Sequence, residues 1–100
     1  MGKRVLVVAR DLFFRSKLQA LVQTAGGAVT REEPCDVAVV ELGRAGAEDR
    51  IRELVGRGIP VLAFGSHVNA DELRSARALG ARAVPNSEVE SALRALLDIF

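Results

Sequence analysis

Residues 36–44 read DVAVVELGR. Val37 to Val40 form an unbroken apolar, β-branched run, the pattern of a strand buried on both faces. The run stops on a carboxylate, Glu41, and the residues after it are loop. In an open parallel sheet, the position just past a strand's carboxyl end is where ligands bind and chemistry occurs. This stretch therefore predicts a doubly covered sheet, and it makes Glu41 the residue to explain: a working acid, a binding group, or a residue standing in a working group's place.

Working outward, similar apolar runs recur at 4–9 (RVLVVA), 60–65 (PVLAFG) and 82–85 (RAVP), and segments of helical periodicity alternate with them. Asp11 is placed to cap a helix over 12–25 whose Phe14, Leu18, Leu21 and Val22 share one face. Gly26 and Gly27 end it. A second helix over 47–58 buries Ile51, Leu54 and Val55. Asn69 and Glu72 have the spacing of a capping box before a helix over 71–80, and Ser87 and Glu90 repeat it before a helix carrying Val89, Leu93, Leu96 and Leu97. The alternation predicts a single domain over 1–100 of α/β class: three layers around an open, mainly parallel sheet of four to five strands.

One join resists this scheme. AVT, residues 28–30, has strand character, yet only REEPC separates it from the strand at 36–41. Neighbouring parallel strands need a crossover of about a dozen residues. Either 28–30 is an edge remnant whose chain crosses under the sheet in an extended loop, or it is no parallel strand. In both cases one sheet face near the first strand is left less covered, a natural place for dimerisation.

Composition narrows the function. One hundred residues suffice for one core, and 49% hydrophobic residues with a net charge of +1 suit a soluble globular protein. Basic residues are spread along the sequence, so no nucleic-acid footprint is expected. No apolar run approaches the roughly 18 residues of a membrane span, and MGKRVLVVAR reads as a strand and not a signal peptide. The single cysteine, Cys35, has no disulfide partner and no Cys-rich metal site to join; a buried or neutral thiol is expected. A cytoplasmic setting follows from these readings.

Several stretches resemble the receiver domains of two-component response regulators, a flavodoxin-like fold. KRVLVVARDLFFRSKL resembles the receiver opening, where a strand runs into an acidic pair and then a helix. DVAVVEL resembles the strand carrying the phosphorylated aspartate, and GIPVLAFGS the strand ending in Thr or Ser. ARALGARAVP resembles the step into the last strand, which normally ends in Lys-Pro. The resemblance covers nearly the whole chain, but the second helix of a receiver is missing.

Carried over residue by residue, the resemblance implies an altered pocket. The metal-binding acidic pair falls on Ala9 and Arg10, with Asp11 just beyond. The phospho-acceptor position falls on Glu41, the Thr or Ser position on Gly65 with Ser66 next, and the lysine position near Asn86 or Ser87. Receiver phosphorylation needs Mg²⁺ held by carboxylate and backbone oxygens; Ala9 and Arg10 remove most of that cage. Glu41 keeps the charge but sets its oxygens ~1 Å further out. It reads either as a fixed carboxylate paired with Arg10 or as a solvated strand-end acid.

No catalytic residues, metal or cofactor are expected. Ser66, His67 and Asp11 lack a nucleophile-elbow motif, so His67 reads as a surface histidine. GRAGAE (43–48) lacks the spacing and lysine of a P-loop and reads as a loop. Phe13 and Phe14 are adjacent on a helix, so one of them should be exposed. The leading expectation is a degenerate receiver-like domain acting in signal transduction by contact with a protein partner or in a homodimer, not phosphorylated and not an enzyme. The alternative is a small anion- or nucleotide-binding module using Arg10, Ser66 and helix N-termini as donors.

Overall fold

Val37, Ala38, Val39 and Val40 have no solvent exposure at all. In the computed structural model, which describes residues 2–99, they form most of the central strand of a five-stranded, wholly parallel sheet. Chain order is β1 (Arg4–Val8), α1 (Leu12–Thr24), β2 (Ala28–Thr30), β3 (Val37–Glu41), α2 (Ala47–Gly56), β4 (Val61–Gly65), α3 (Ala70–Ala78), β5 (Arg82–Pro85) and α4 (Val89–Ile99). The spatial order is β2-β1-β3-β4-β5.

Alternating residues of each strand serve two cores. Val5, Val7, Val37, Val39, Leu62 and Phe64 face α1 and α4, meeting Leu18, Val22 and Leu93. Leu6, Ala38, Val40 and Ala63 face α2 and α3, meeting Ile51, Leu54, Leu73 and Ala76. Phe14 packs on the fully buried Phe64, ring centroids 5.2 Å apart. Phe13 is 63% exposed, with the Lys17 ammonium 4.5 Å from its ring centre. Asp11 caps α1 as expected, its Oδ1 accepting from the amides of Phe13 (2.9 Å) and Phe14 (3.3 Å). Among the described residues, no helix is long and apolar enough to cross a membrane.

Residues 28–30 do form a parallel strand, and the awkward join has a geometric answer. β2 and β3 are not neighbours, because β1 lies between them. Thr30 pairs with Leu6 and Val37 with Val5, so the chain steps back by only one residue while moving sideways two strand spacings. That is roughly 10 Å, well within the reach of residues 31–36, which bend at most positions and need not be extended. No helix is needed, and none forms.

Two arginines hold this short, bent crossing. Arg4 Nη2 donates to Thr30 Oγ1 (3.1 Å) and its Nε to the Pro34 carbonyl (2.9 Å), while its backbone amide donates to Asp36 Oδ2 (2.7 Å). Arg57, at the end of α2, forms a fork on Glu33, with Nε 2.8 Å from Oε1 and Nη2 2.5 Å from Oε2. Cys35 packs against the second core and is half-buried; burial pushes its thiol pKa up, with the charges of Glu33 and Asp36 adding to the shift.

The capping boxes differ from expectation. Asn69 is the N-cap of α3, but its backbone (φ −99°, ψ 56°) is not extended and its side chain makes no cap bond. Ser87 lies inside a 3-10 turn, Asn86–Glu88, that leads into α4, and no side chain caps that turn either.

The Glu33–Arg57 fork generates a pH prediction. The hydrogen bonds from Arg57 lower the Glu33 pKa, against an opposing effect of burial. A lowered folded-state pKa adds stability that is present above the unfolded value and lost as pH falls through the folded value. In thermal unfolding, Glu33→Gln should therefore be less stable than wild type at neutral pH. The gap should close as the pH drops below the ordinary glutamate range; a gap that persists or widens in acid would contradict the assignment.

Candidate functional site

β1 connects through α1 to β2 on one side of the sheet, and β3 connects through α2 to β4 on the other. The carboxyl ends of β1 and β3 therefore flank the point where the winding reverses, the position at which such sheets form a crevice. A cavity of about 380 Å³ lies there, its wall including Val7, Val8, Ala9 and Ala47.

Glu41, the last residue of β3, enters this cavity with only 13% of its side chain exposed. Its Oε1 accepts from the backbone amides of Arg10 (2.8 Å) and Asp11 (3.3 Å), and it lies 3.5 Å from Nε of Arg44. The carboxylate is thus fixed, but not by the guanidinium foreseen. Arg10 contributes its amide, and the charged partner is Arg44. The reason is local: the loop after β1 turns its backbone donors toward the end of β3, while Arg44 follows Glu41 by three residues and folds back.

The other expected positions divide. Ala9, Arg10 and Glu41 line the cavity. Asp11 adjoins it, one oxygen committed to the α1 cap and its amide to Glu41. Gly65 and Ser66 lie at the end of β4, outside the cavity wall. A Cβ built on Gly65 would stand 3.2 Å from Leu42 Cβ, tighter than side chains ordinarily pack, so a larger residue here would need Leu42 to give by a few tenths of an ångström. Asn86 and Ser87 lie beyond β5 in the 3-10 turn and also stay outside the cavity. His67 is exposed, and no hydrogen bond or ion pair joins it to Ser66 or Asp11; Ser66 Oγ instead accepts from the Val68 amide.

A Mg²⁺ ion, which the resemblance implies, does not fit these residues. Ala9 brings no donor oxygen, Arg10 brings a cation, and the Oε1 of Glu41 already serves the loop amides. Among the described residues, no three His, Cys, Asp or Glu side chains gather in a group that could hold a metal ion.

What the sequence reading missed is the rest of the wall. Arg15, Arg31, Arg44 and Arg50 join Arg10 around the cavity. These residues are far apart in sequence, which is why they read as dispersed charge. The usable signal was position: Arg10, Arg31 and Arg44 each follow the carboxyl end of a strand within three residues, and in a parallel sheet those ends share one edge. Gly46 adds to this edge. With φ +84° it opens α2 in a left-handed conformation, and no side chain caps the helix amides behind it.

No protein-family model matches the sequence, and no curated protein does. Solved structures do match. The BeF3-activated DrrB receiver domain superposes with a TM-score of 0.83 at 18% identity, covering 99% of this chain and 97% of that one. The receiver domain of a Pseudomonas aeruginosa sensor histidine kinase, determined with magnesium in its active-site cleft, gives 0.77 at 15% identity over 99% and 97%. A Francisella response-regulator receiver domain gives 0.78 at 14% identity over 98% and 95%. At these identities the likeness is one of fold: the chain has the parallel five-stranded, flavodoxin-like fold of response-regulator receiver domains.

Proposed function

We propose that this chain is a cytoplasmic, receiver-like signalling domain that takes no phosphoryl group, is not an enzyme, and acts through contact with another protein. The single observation that carries the reading is the state of Glu41. At the strand end where the resemblance places a phospho-acceptor, this carboxylate is spent as an internal clamp on the Arg10 and Asp11 amides and on Arg44. Ala9 and Arg10 supply no cage for the dication that phosphoryl transfer uses. At Gly65, the position the resemblance gives to Thr or Ser, there is no side-chain hydroxyl, and a Cβ there would stand 3.2 Å from Leu42 Cβ.

Protein contact is favoured by the large apolar side chains left in water. Leu12 (75% exposed) and Phe13 (63%) follow β1, and Val68 (75%) follows β4, so all three lie toward the carboxyl edge of the sheet. A two-fold homodimer closing over the arginine-lined cavity is disfavoured, because it would press like charges together in a desolvated seam.

Two measurements test this reading. Glu41→Ala removes the acceptor of two amides and should cost about 1–2 kcal/mol in urea unfolding, whereas Glu41→Gln, keeping a carbonyl oxygen, should cost less than about 1 kcal/mol. Equal and negligible losses would make Glu41 a solvated strand-end acid instead. In mass spectrometry after incubation with acetyl phosphate and Mg²⁺, wild type and Glu41→Asp should gain no phosphate. The triple variant Ala9→Asp, Arg10→Asp, Glu41→Asp should regain Mg²⁺ binding and only partial phosphorylation, since losing even one strong transition-state stabiliser costs ~10²–10³ in rate. Phosphate on any residue of the wild-type cavity would overturn the proposal.

A further inference from the structure

The cavity concentrates positive charge far beyond what the composition requires. Of 14 Lys and Arg and 13 Asp and Glu in the chain, its wall takes five arginines and one glutamate, leaving nine basic and twelve acidic residues for everything else. Elsewhere Lys17 pairs with Glu90, Arg52 with Asp49, Arg57 with Glu33 and Arg74 with Asp71, while among the described residues Arg82 and Arg94 have no acidic partner within 4 Å. In the cavity only Arg44 has an acidic partner. Among the described residues, the side chains of Arg10, Arg15, Arg31 and Arg50 make no hydrogen bond and no ion pair within 4 Å, although the charge of Arg50 is felt at Glu33.

We infer that this cavity binds a small anion carrying two or more phosphate groups, of the class of a nucleoside diphosphate or inorganic pyrophosphate. The arginines come from separate segments (the loop after β1, α1, the crossing at 31–36, the loop after β3, and α2) and meet around one concavity. Guanidinium groups match phosphate oxygens with paired, charge-assisted hydrogen bonds. The start of α2 reaches the same wall through Gly46 and Ala47, but its amide at Ala47 donates to the Arg44 carbonyl (3.1 Å) and its first turn carries Glu48 and Asp49, so the arginines and not the helix end supply the positive charge. A volume of about 380 Å³ is within the range of small-ligand sites. One monoanion cannot offset an excess of four positive charges; two linked phosphates offset most of it. Concavity favours a small ligand over a nucleic-acid strand, which basic residues along an open face would suit better. This inference is independent of the preceding reading: a domain closed to phosphoryl transfer and a domain open to it could each hold such an anion.

The test is calorimetric titration of the full chain with pyrophosphate, ADP, AMP and adenosine, at low and then raised salt. Pyrophosphate and ADP should bind, AMP about tenfold more weakly, and adenosine not at all, with affinity falling as salt rises. Tighter binding of ADP than of pyrophosphate assigns the ligand as a nucleotide, and the reverse order assigns an inorganic one. Arg31→Ala with Arg50→Ala should weaken binding at least about tenfold, and the matching double Lys variant, which keeps charge but loses the fork, should fall between. Arg82→Ala with Arg94→Ala, outside the cavity, should bind as wild type does. The inference is overturned if neither pyrophosphate nor ADP binds at millimolar concentration, or if citrate binds as tightly as pyrophosphate. It is also overturned if the Arg82/Arg94 variant loses as much as the cavity variant. Displacement of ADP by a single-stranded oligonucleotide or a phosphopeptide at lower concentration than ADP itself would transfer the site to a macromolecule and overturn the small-ligand assignment. Phosphorylation of the wild-type chain would sink the preceding proposal and leave this one standing.

Discussion

The enclosure of β3 on both faces is the constraint from which the rest follows. Four consecutive residues with no exposure leave no room for a polar side chain inside the sheet, and no buried polar or charged residue exists among those described. Helices must cover both faces, and the sheet must be parallel so that crossovers can place them. Chemistry is thereby confined to strand ends. Glu41 is the first residue of β3 able to reach water, and there it meets the amides of the turn after β1. A single carboxylate joins the two central strands at the point where the winding reverses. The position that offers the most chemical freedom is, in this chain, partly used to hold the loop.

The short crossing from β2 to β3 shapes the same edge. Because β2 ends level with Leu6, the chain reaches β3 in a few bent residues and brings no helix to that side of β1. Arg4 and Arg57 hold the crossing in place of packed apolar surface. The sequence predicts a less covered face here, a natural place for dimerisation. Its floor is indeed apolar, with Val7, Val8 and Ala9, but its rim is arginine. Burying such a rim against a copy of itself would require desolvating like charges, which opposes a two-fold seam at this edge.

The fold was legible where local signals and burial agreed. The four long strands, the helices and the Asp11 cap follow from apolar runs, periodicity and one side-chain acceptor, and Phe14 turned inward while Phe13 stayed in water because adjacent helix positions cannot share a face. The strand at 28–30 is not decided by its local sequence, because the crossover rule applies to adjacent parallel strands, and adjacency is set by tertiary pairing that three residues do not encode. The capping boxes failed for a different reason. Asn69 and Ser87 have the right spacing, but the backbone ahead of each helix is already committed to a tight turn, which denies the side chain its extended cap geometry. Of the site, the positions of Ala9, Arg10 and Glu41 were readable from strand ends. Arg15 and Arg50 were not, since each looks like an ordinary exposed helix residue until α1 and α2 are set against the same cavity.

The sign of the site is the deeper point. Strand ends in a parallel sheet sit beside helix N-termini, whose open amides favour negative charge. A dication can be held there only if several carboxylates outweigh that bias. With Ala9 and Arg10 where acids would be needed, the cavity wall holds one carboxylate against five guanidinium groups, while the helix ends beside it are met by Asp11 at α1 and by Glu48 and Asp49 at α2. Glu41 supplies part of the compensating charge from within, on the side of Arg44. Arg10, Arg15, Arg31 and Arg50 are left facing solvent screening alone, which offsets exposed charges but gives no directed hydrogen bonds. An anion with paired phosphate oxygens would supply both the charge and the directed hydrogen bonds that these guanidinium groups otherwise go without.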